Sequence, residues 1–158
     1  MSTMKPTGHT RQARVLFLLL LFAMPLAAET GVPEQALART FSDADLQWGP
    51  CPSFIPAGCE IAVLHGDPAK QNADIFFKVP GGGFLVPHHR HTSAERMVLV
   101  SGQLQVQYEG QETVSLKPGT YAYGPAERTH TAVCESPEAC VLFIAFEGPV
   151  DAYAIEVK

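Results

Sequence analysis

Charge is scarce in this chain: Asp, Glu, Lys and Arg make up 17% of its 158 residues, while hydrophobic residues make up 46%. That balance excludes a wholly disordered or coiled-coil protein. Basic residues are fewer than acidic ones, 11 against 16, for a net charge of −5 and a pI near 5.6. Neither nucleic acid nor an anionic membrane is expected as a partner. Long hydrophobic runs are missing too. The longest, Val15–Met24, has ten residues, about half of what a spanning helix needs, so no stable membrane span is expected. There is no Cys-x-x-Cys pair, no internal repeat and no low-complexity tract. What the chain has is punctuation: 13 glycines and 13 prolines, scattered rather than clustered. Such spacing suits short strands joined by turns and suits long helices poorly.

The first 28 residues read as a leader. Lys5, Arg11 and Arg14 precede the apolar block, Pro25-Leu-Ala-Ala28 follows it, and the first acidic residue is Glu29. A basic head, a short greasy centre and small residues at the end have the layout of a secretory signal peptide. Its removal takes away three positive charges and no negative one, moving the net charge from −5 to −8. About 130 residues remain, enough for one core of ordinary size, in a protein expected to be periplasmic or secreted.

All four cysteines, Cys51, Cys59, Cys134 and Cys140, lie after the leader. In an oxidising compartment an even number reads as disulfides. Of the three possible pairings, Cys51–Cys59 closes a Pro/Gly loop and Cys134–Cys140 closes a hairpin turn. That pairing is favoured.

Residues 29–44 form a lead-in, in which Pro33–Arg39 fits one or two helical turns or a loose segment. From residue 45 to 158 the pattern is β. Runs at 60–64, 74–79, 84–91, 96–100, 103–108, 113–116, 120–123, 129–134 and 140–146 are separated by turn residues. Leu104, Val106 and Tyr108 alternate with three glutamines, as in a half-buried antiparallel strand. About ten short strands imply an all-β sandwich or closed barrel in a single domain.

Three histidines fall in one tetrapeptide, His88-His-Arg-His91. On a strand, alternate residues share a face, so His89 and His91 reach one point while His88 and Arg90 face away. Glu95 follows at the start of the next strand, and His130 lies in a later one. Three imidazoles and a carboxylate suit one divalent transition metal: Mn, Fe, Co, Ni, Cu or Zn. A bare His-x-His is equally compatible with a polar strand edge.

The surrounding residues narrow the reading. Gly83, five residues, His89-x-His91, three residues, Glu95, six residues and Gly102 match the first motif of the cupin superfamily at every defining position. Gly119, five residues, Pro125 and then His130 resemble its second motif. There the family's glycine is Glu127 and its later asparagine is Cys134. The chain thus resembles a small cupin, which implies a double-stranded β-helix, or jelly-roll barrel, over roughly Asp45 to Phe146. It also implies that His89, His91, Glu95 and His130 converge on one metal. Without a cation, an ionised Glu95 inside a barrel costs several kcal/mol or is neutralised; a metal-free hydrogen-bond cluster is the alternative.

Four protein ligands on an octahedral ion leave two adjacent positions open. Cupins with such a set include dioxygenases, isomerases, decarboxylases, lyases and members that only bind a ligand, so the motif identifies a site rather than a reaction. Two functions follow from the resemblance. One is a dioxygenase-like enzyme for a small chelating organic substrate, with Glu95 able to move a proton. The other is a non-catalytic module holding a divalent metal or small ligand, similar to the zinc-binding cupin half of certain anti-sigma factors, although no sigma-binding helical segment is seen ahead of it. Met97, Leu99, Tyr121, Tyr123 and Phe143 are expected at the pocket wall, with Arg90 and Arg96 turned away. Pairing through an edge strand would make a homodimer.

Overall fold

Strands form where the sequence alternates and end where Gly or Pro intervenes. The computed structural model describes Met1 and residues 34–156, and the expected signal peptide lies outside them but for Met1. The chain divides into Met1–Ala36 and Leu37–Lys158. Residues 34–36 of the first unit are exposed and irregular, and residues 37–40 of the second are as well, so the described part of the lead-in takes no helical turn.

Among the described residues eleven strands follow, all in the second unit: β1 (Trp48–Pro50), β2 (Glu60–His65), β3 (Asp74–Val79), β4 (Phe84–Arg90), β5 (Glu95–Ser101), β6 (Leu104–Tyr108), β7 (Val114–Leu116), β8 (Tyr121–Gly124), β9 (His130–Cys134), β10 (Cys140–Phe146) and β11 (Tyr153–Ala154). Every pairing is antiparallel. One sheet has the order β1-β2-β3-β10-β5-β8 and the other β11-β4-β9-β6-β7. Among the described residues no helix is long and apolar enough to cross a membrane.

The inner faces supply one core. Ile75, Leu99, Leu104, Leu116, Val79 and Val86 are almost wholly buried. Alternation carries this: β6 buries Leu104, Val106 and Tyr108 as its pattern predicts. Both expected disulfides form, Cys51–Cys59 with Cα atoms 5.5 Å apart and Cys134–Cys140 at 5.8 Å.

β1 and β11 are too short to show a periodic signal. Yet β11 sets the site, because it brings the C-terminal segment back along β4, pairing Tyr153 with Arg90 and Ala154 with His89.

Candidate metal centre

Two cross-strand rows face each other at one end of the sandwich. In one sheet His89 on β4 lies opposite His130 on β9, which lies opposite Tyr108 on β6. In the other, Phe146 on β10 lies opposite Glu95 on β5, which lies opposite Gly124 on β8. Directly opposed residues in an antiparallel pair share a face, so each row points inward as a unit.

Simple alternation would not put His89 there. Phe84 and Val86 face the core, and strict alternation would continue to His88. Between Val86 and His89 the pairing with β9 slips by one residue. That bulge reverses the phase, so His89 is buried and His88 exposed. His91 follows just past the end of β4, also buried.

Ring nitrogens of His89, His91 and His130 lie within 4.8 Å of one another. The second row brings Glu95 to them: its Oε1 is 3.3 Å from His91 Nε2 and its Oε2 is 3.7 Å from His130 Nε2. The structure thus gathers the three expected histidines into one group and sets Glu95 beside two of them, His91 and His130.

Their backbone contacts settle the tautomers. Nδ1 of His89 meets the Pro87 carbonyl at 2.7 Å, Nδ1 of His130 meets that of Arg128 at 3.1 Å, and Nδ1 of His91 meets that of Asp151. A carbonyl only accepts, so each Nδ1 carries the hydrogen and each neutral ring keeps its lone pair on Nε2.

The electrostatics agree. Burial, reinforced by the neighbouring His130 and His91, pushes His89 down to about 3. Burial pushes His130 down to about 4 and lowers His91 as well. Glu95 is pushed up to about 8 by burial, with Asp151 adding to the shift. The 3.3 Å His91–Glu95 contact is therefore no ion pair on its own: burial drives both groups towards neutrality. Three neutral imidazoles with free lone pairs beside a carboxyl that lacks a cation are the donor set a divalent transition metal requires. The residues fit one.

Asp151 was not legible beforehand, since no motif or periodicity marks it. Besides its carbonyl on His91, its carboxylate accepts from the Thr92 backbone N–H at 2.9 Å and from the Thr92 hydroxyl. The C-terminal segment thereby clamps the turn that joins His91 to Glu95. The alternation of β6 marks Tyr108 only as a position on its buried face. Tyr108 stacks on His130 with ring centroids 4.6 Å apart.

Glu127 stands where the second motif has glycine. It adopts the left-handed backbone conformation (φ 62°) that a glycine would, so the turn before His130 survives. Its N–H donates to the His91 carbonyl at 2.8 Å, and its carboxylate pairs with Arg90. Arg90 and Arg96 both face away from the centre, Arg96 pairing with Glu147.

A cavity of about 120 Å³ adjoins the centre, walled by apolar side chains including Val86, Met97, Val106, Leu142 and Ile144. Met97 thus takes its expected place. Leu99 is fully buried in the core instead of lining the cavity. Tyr121, Tyr123 and Phe143 do not line it, which corrects the expectation for all three. On β8, Ala122 lies opposite Met97 and Gly124 opposite Glu95, so the small residues face inward and the two tyrosines face solvent, 60% and 52% exposed. Phe143 lies opposite Val98 and Phe76 on the outer face of its sheet, while Leu142, Ile144 and Phe146 point in. Tyr-Ala-Tyr-Gly carries no hydrophobic contrast that fixes its phase. The register does.

A model of the ChrR cupin-like domain matches residues 38–151. The chain belongs to the ChrR-like cupins. No curated protein matches this cupin. Among solved structures, the DMSP lyase DddQ from Ruegeria pomeroyi DSS-3 is similar, with 17% identity and a TM-score of 0.58 over 69% of this chain and 60% of that one. This cupin therefore spans about three-fifths of the lyase's length. KdgF from Halomonas sp. shares 22% identity at a TM-score of 0.52, over 64% of this chain and 87% of that one. The oxalate decarboxylase of Lactobacillus farciminis, solved with formate, shares 15% at 0.57, over 70% of this chain and 34% of that one. These likenesses establish the double-stranded β-helix and nothing of the reaction.

Proposed function

We propose that this cupin is a metal-dependent enzyme acting on a small chelating organic substrate, its metal held by His89, His91, His130 and Glu95. The observation that carries the reading is the tautomer lock: three backbone carbonyls hold the imidazoles so that their free lone pairs face one point beside Glu95. When bound, a divalent metal polarises a substrate oxygen and lowers the barrier for charge developing there. The protein does the rest. The apolar wall excludes water, the Asp151 clamp keeps His91 in place, and Glu95 is buried where it can hold or pass a proton within reach of a ligand oxygen. The finer reading is oxidative chemistry of the dioxygenase type. A non-catalytic module holding a divalent metal or small ligand is the second reading, supported by how little free volume the cavity offers.

Metal-free protein titrated with Zn(II), Mn(II) and Fe(II) is expected to take up one ion per chain, and His89→Ala and His130→Ala to lose it. Oxygen uptake by the Fe(II) form on a panel of diketones and catechols supports the dioxygenase type. Stoichiometric metal with no turnover under any loading would leave the binding module standing. Failure of the wild type to bind any of the three ions would overturn both.

The reading places the protein outside the cytoplasm, released from a signal peptide at 1–28, and both disulfides support an oxidising compartment. It also includes a homodimer. The exposed Tyr121 and Tyr123 on β8, the last strand of its sheet, support pairing there. A monomer in sedimentation at high concentration would rule that out.

A further inference from the structure

Most of the cavity wall belongs to strands, whose backbones are fixed by pairing in the two sheets. Apart from His91, the described lining residues outside strands come from two segments. Pro52 and Ile55 lie on the loop that the Cys51–Cys59 bridge closes, and Val150, Asp151 and Ala152 lie on the C-terminal return.

The two segments are held in different ways. Polar bonds fasten the return: Val150 N–H donates to the Pro68 carbonyl, Asp151 bonds to His91 and Thr92, and β11 pairs with β4. The loop has no such fastening. Its backbone bonds, from Cys51 N–H to the Cys59 carbonyl at 3.4 Å and from Ile55 N–H to the Pro52 carbonyl at 3.0 Å, are internal. Among the described residues, no hydrogen bond ties 52–58 to the barrel. Apolar contact seats the loop instead: Ile55 is 7% exposed within the core, and the Phe54 ring lies 6.0 Å from that of His89.

Pro52, Ser53, Pro56, Ala57 and Gly58 are exposed. Pro52 is exposed and lines the cavity as well, so the loop is a single layer of chain between solvent and the centre. Local opening costs least where few bonds must break, and here one buried isoleucine and one half-buried phenylalanine are the main contacts to release. The bridge ties the two ends of the loop together, and Cys59 is itself buried. The tip can therefore lift while the loop keeps its ends.

We propose that the loop between Cys51 and Cys59 is the gate of the metal centre, with Ile55 as its latch and the bridge as the tether that limits its swing. The proposal rests on the metal-site reading for what passes the gate, and deepens it by naming what controls entry. Lifting the loop also uncovers the imidazoles when no metal is bound.

Ile55→Ala weakens the latch and keeps the bridge. Zn(II) uptake by metal-free protein, and Zn(II) release to excess chelator, are followed by stopped flow well below the melting point of both proteins. A gate changes both rates by one factor, so each is expected to rise about tenfold at unchanged Kd. A second arm needs no metal. Diethyl pyrocarbonate takes the free lone pair of His130 Nε2, and mass spectrometry of metal-free protein should show that reaction also rising about tenfold in Ile55→Ala. The exposed His88 should react equally in both proteins. Cys51→Ser combined with Cys59→Ser, or the wild type with this bridge reduced by dithiothreitol, should make His130 react faster than in the oxidised wild type; no gain would remove the bridge from the gate. A loop that only props the centre predicts weaker Zn(II) affinity and no selective gain at His130. That result, or unchanged rates and unchanged His130 reactivity in Ile55→Ala, would overturn the proposal. Failure to bind Zn(II) counts against the metal reading alone, because His130 reactivity still decides the gate.

Discussion

At the scale of single residues, Glu95 and the histidines pull the metal-free protein in opposite directions with pH. Glu95 is raised by burial to about 8 from 4.5. Between those values the folded state holds a proton that the unfolded state releases, so stability falls as pH rises through that window. His89 and His130 are lowered to about 3 and 4 from 6.5. Below 6.5 the unfolded state takes up protons that the folded state refuses, so their contribution is lost as pH falls. From 6.5 to 8 only the Glu95 slope operates among these three groups. Urea unfolding of metal-free protein across that range should show stability declining in the wild type and level in Glu95→Gln; equal slopes would place the carboxyl's titration elsewhere.

Glu127 offers a second residue-scale prediction. Its left-handed backbone (φ 62°) costs an ordinary residue about 1 kcal/mol relative to glycine. The pair with Arg90 is half-exposed and so worth little. Glu127→Gly should match or exceed the wild type in urea midpoint, and Glu127→Ala should fall about 1 kcal/mol below Glu127→Gly. The substituted glycine of the second motif falls in the turn before His130. Backbone conformation, which glutamate tolerates at modest cost, preserved it.

Among the elements, β9 carries His130 at one end and the Cys134–Cys140 bridge at the other; β9 and β10 lie in different sheets, so the bridge closes a crossing between sheets and not the expected hairpin turn. Gly102 seats against the bridge: a Cβ there would lie 2.8 Å from Cys140 Sγ, and its φ is 82°. The glycine that closes the first motif is thus required both by the turn and by the disulfide. Replacing Cys134 and Cys140 by serine should cost about 2–3 kcal/mol, lowering the melting point by about 10 °C, while metal stoichiometry is retained because His130 is anchored independently by Arg128 and Tyr108. Loss of metal binding in the double variant would show that the bridge positions the centre. Strands with clean alternation, such as β6, were readable in advance; β8 was not, since either phase of Tyr-Ala-Tyr-Gly is chemically plausible until Met97 and Glu95 select the small residues as partners.

For the whole molecule, the scattered turn residues and the histidine motif point to one β domain, and its export is the proposal that the basic head and apolar block of the first 28 residues support. Protein recovered from a bacterial periplasm after expression of the full chain should have an N-terminus near residue 29. An intact Met1 terminus in cytoplasmic protein would contradict export. The C-terminal return was invisible at this scale as well. Residues 150–154 have no periodicity, yet Val150 bonds to Pro68 at 2.8 Å, Asp151 holds His91 and Thr92, and β11 extends the sheet beyond β4. Such contacts join positions some sixty residues apart, and local pattern contains no trace of them.

The amino-acid sequence alone determined the strand-rich architecture, favoured one of three disulfide pairings and, through its resemblance to the cupin motifs, named the side chains expected to converge, because alternation and spacing are local. Only the folded barrel decided which way His89 points, which strand of small residues makes room beside Glu95, and which carbonyls lock the imidazoles. Those outcomes depend on pairing register, and a slip of a single residue turns a side chain from solvent to core.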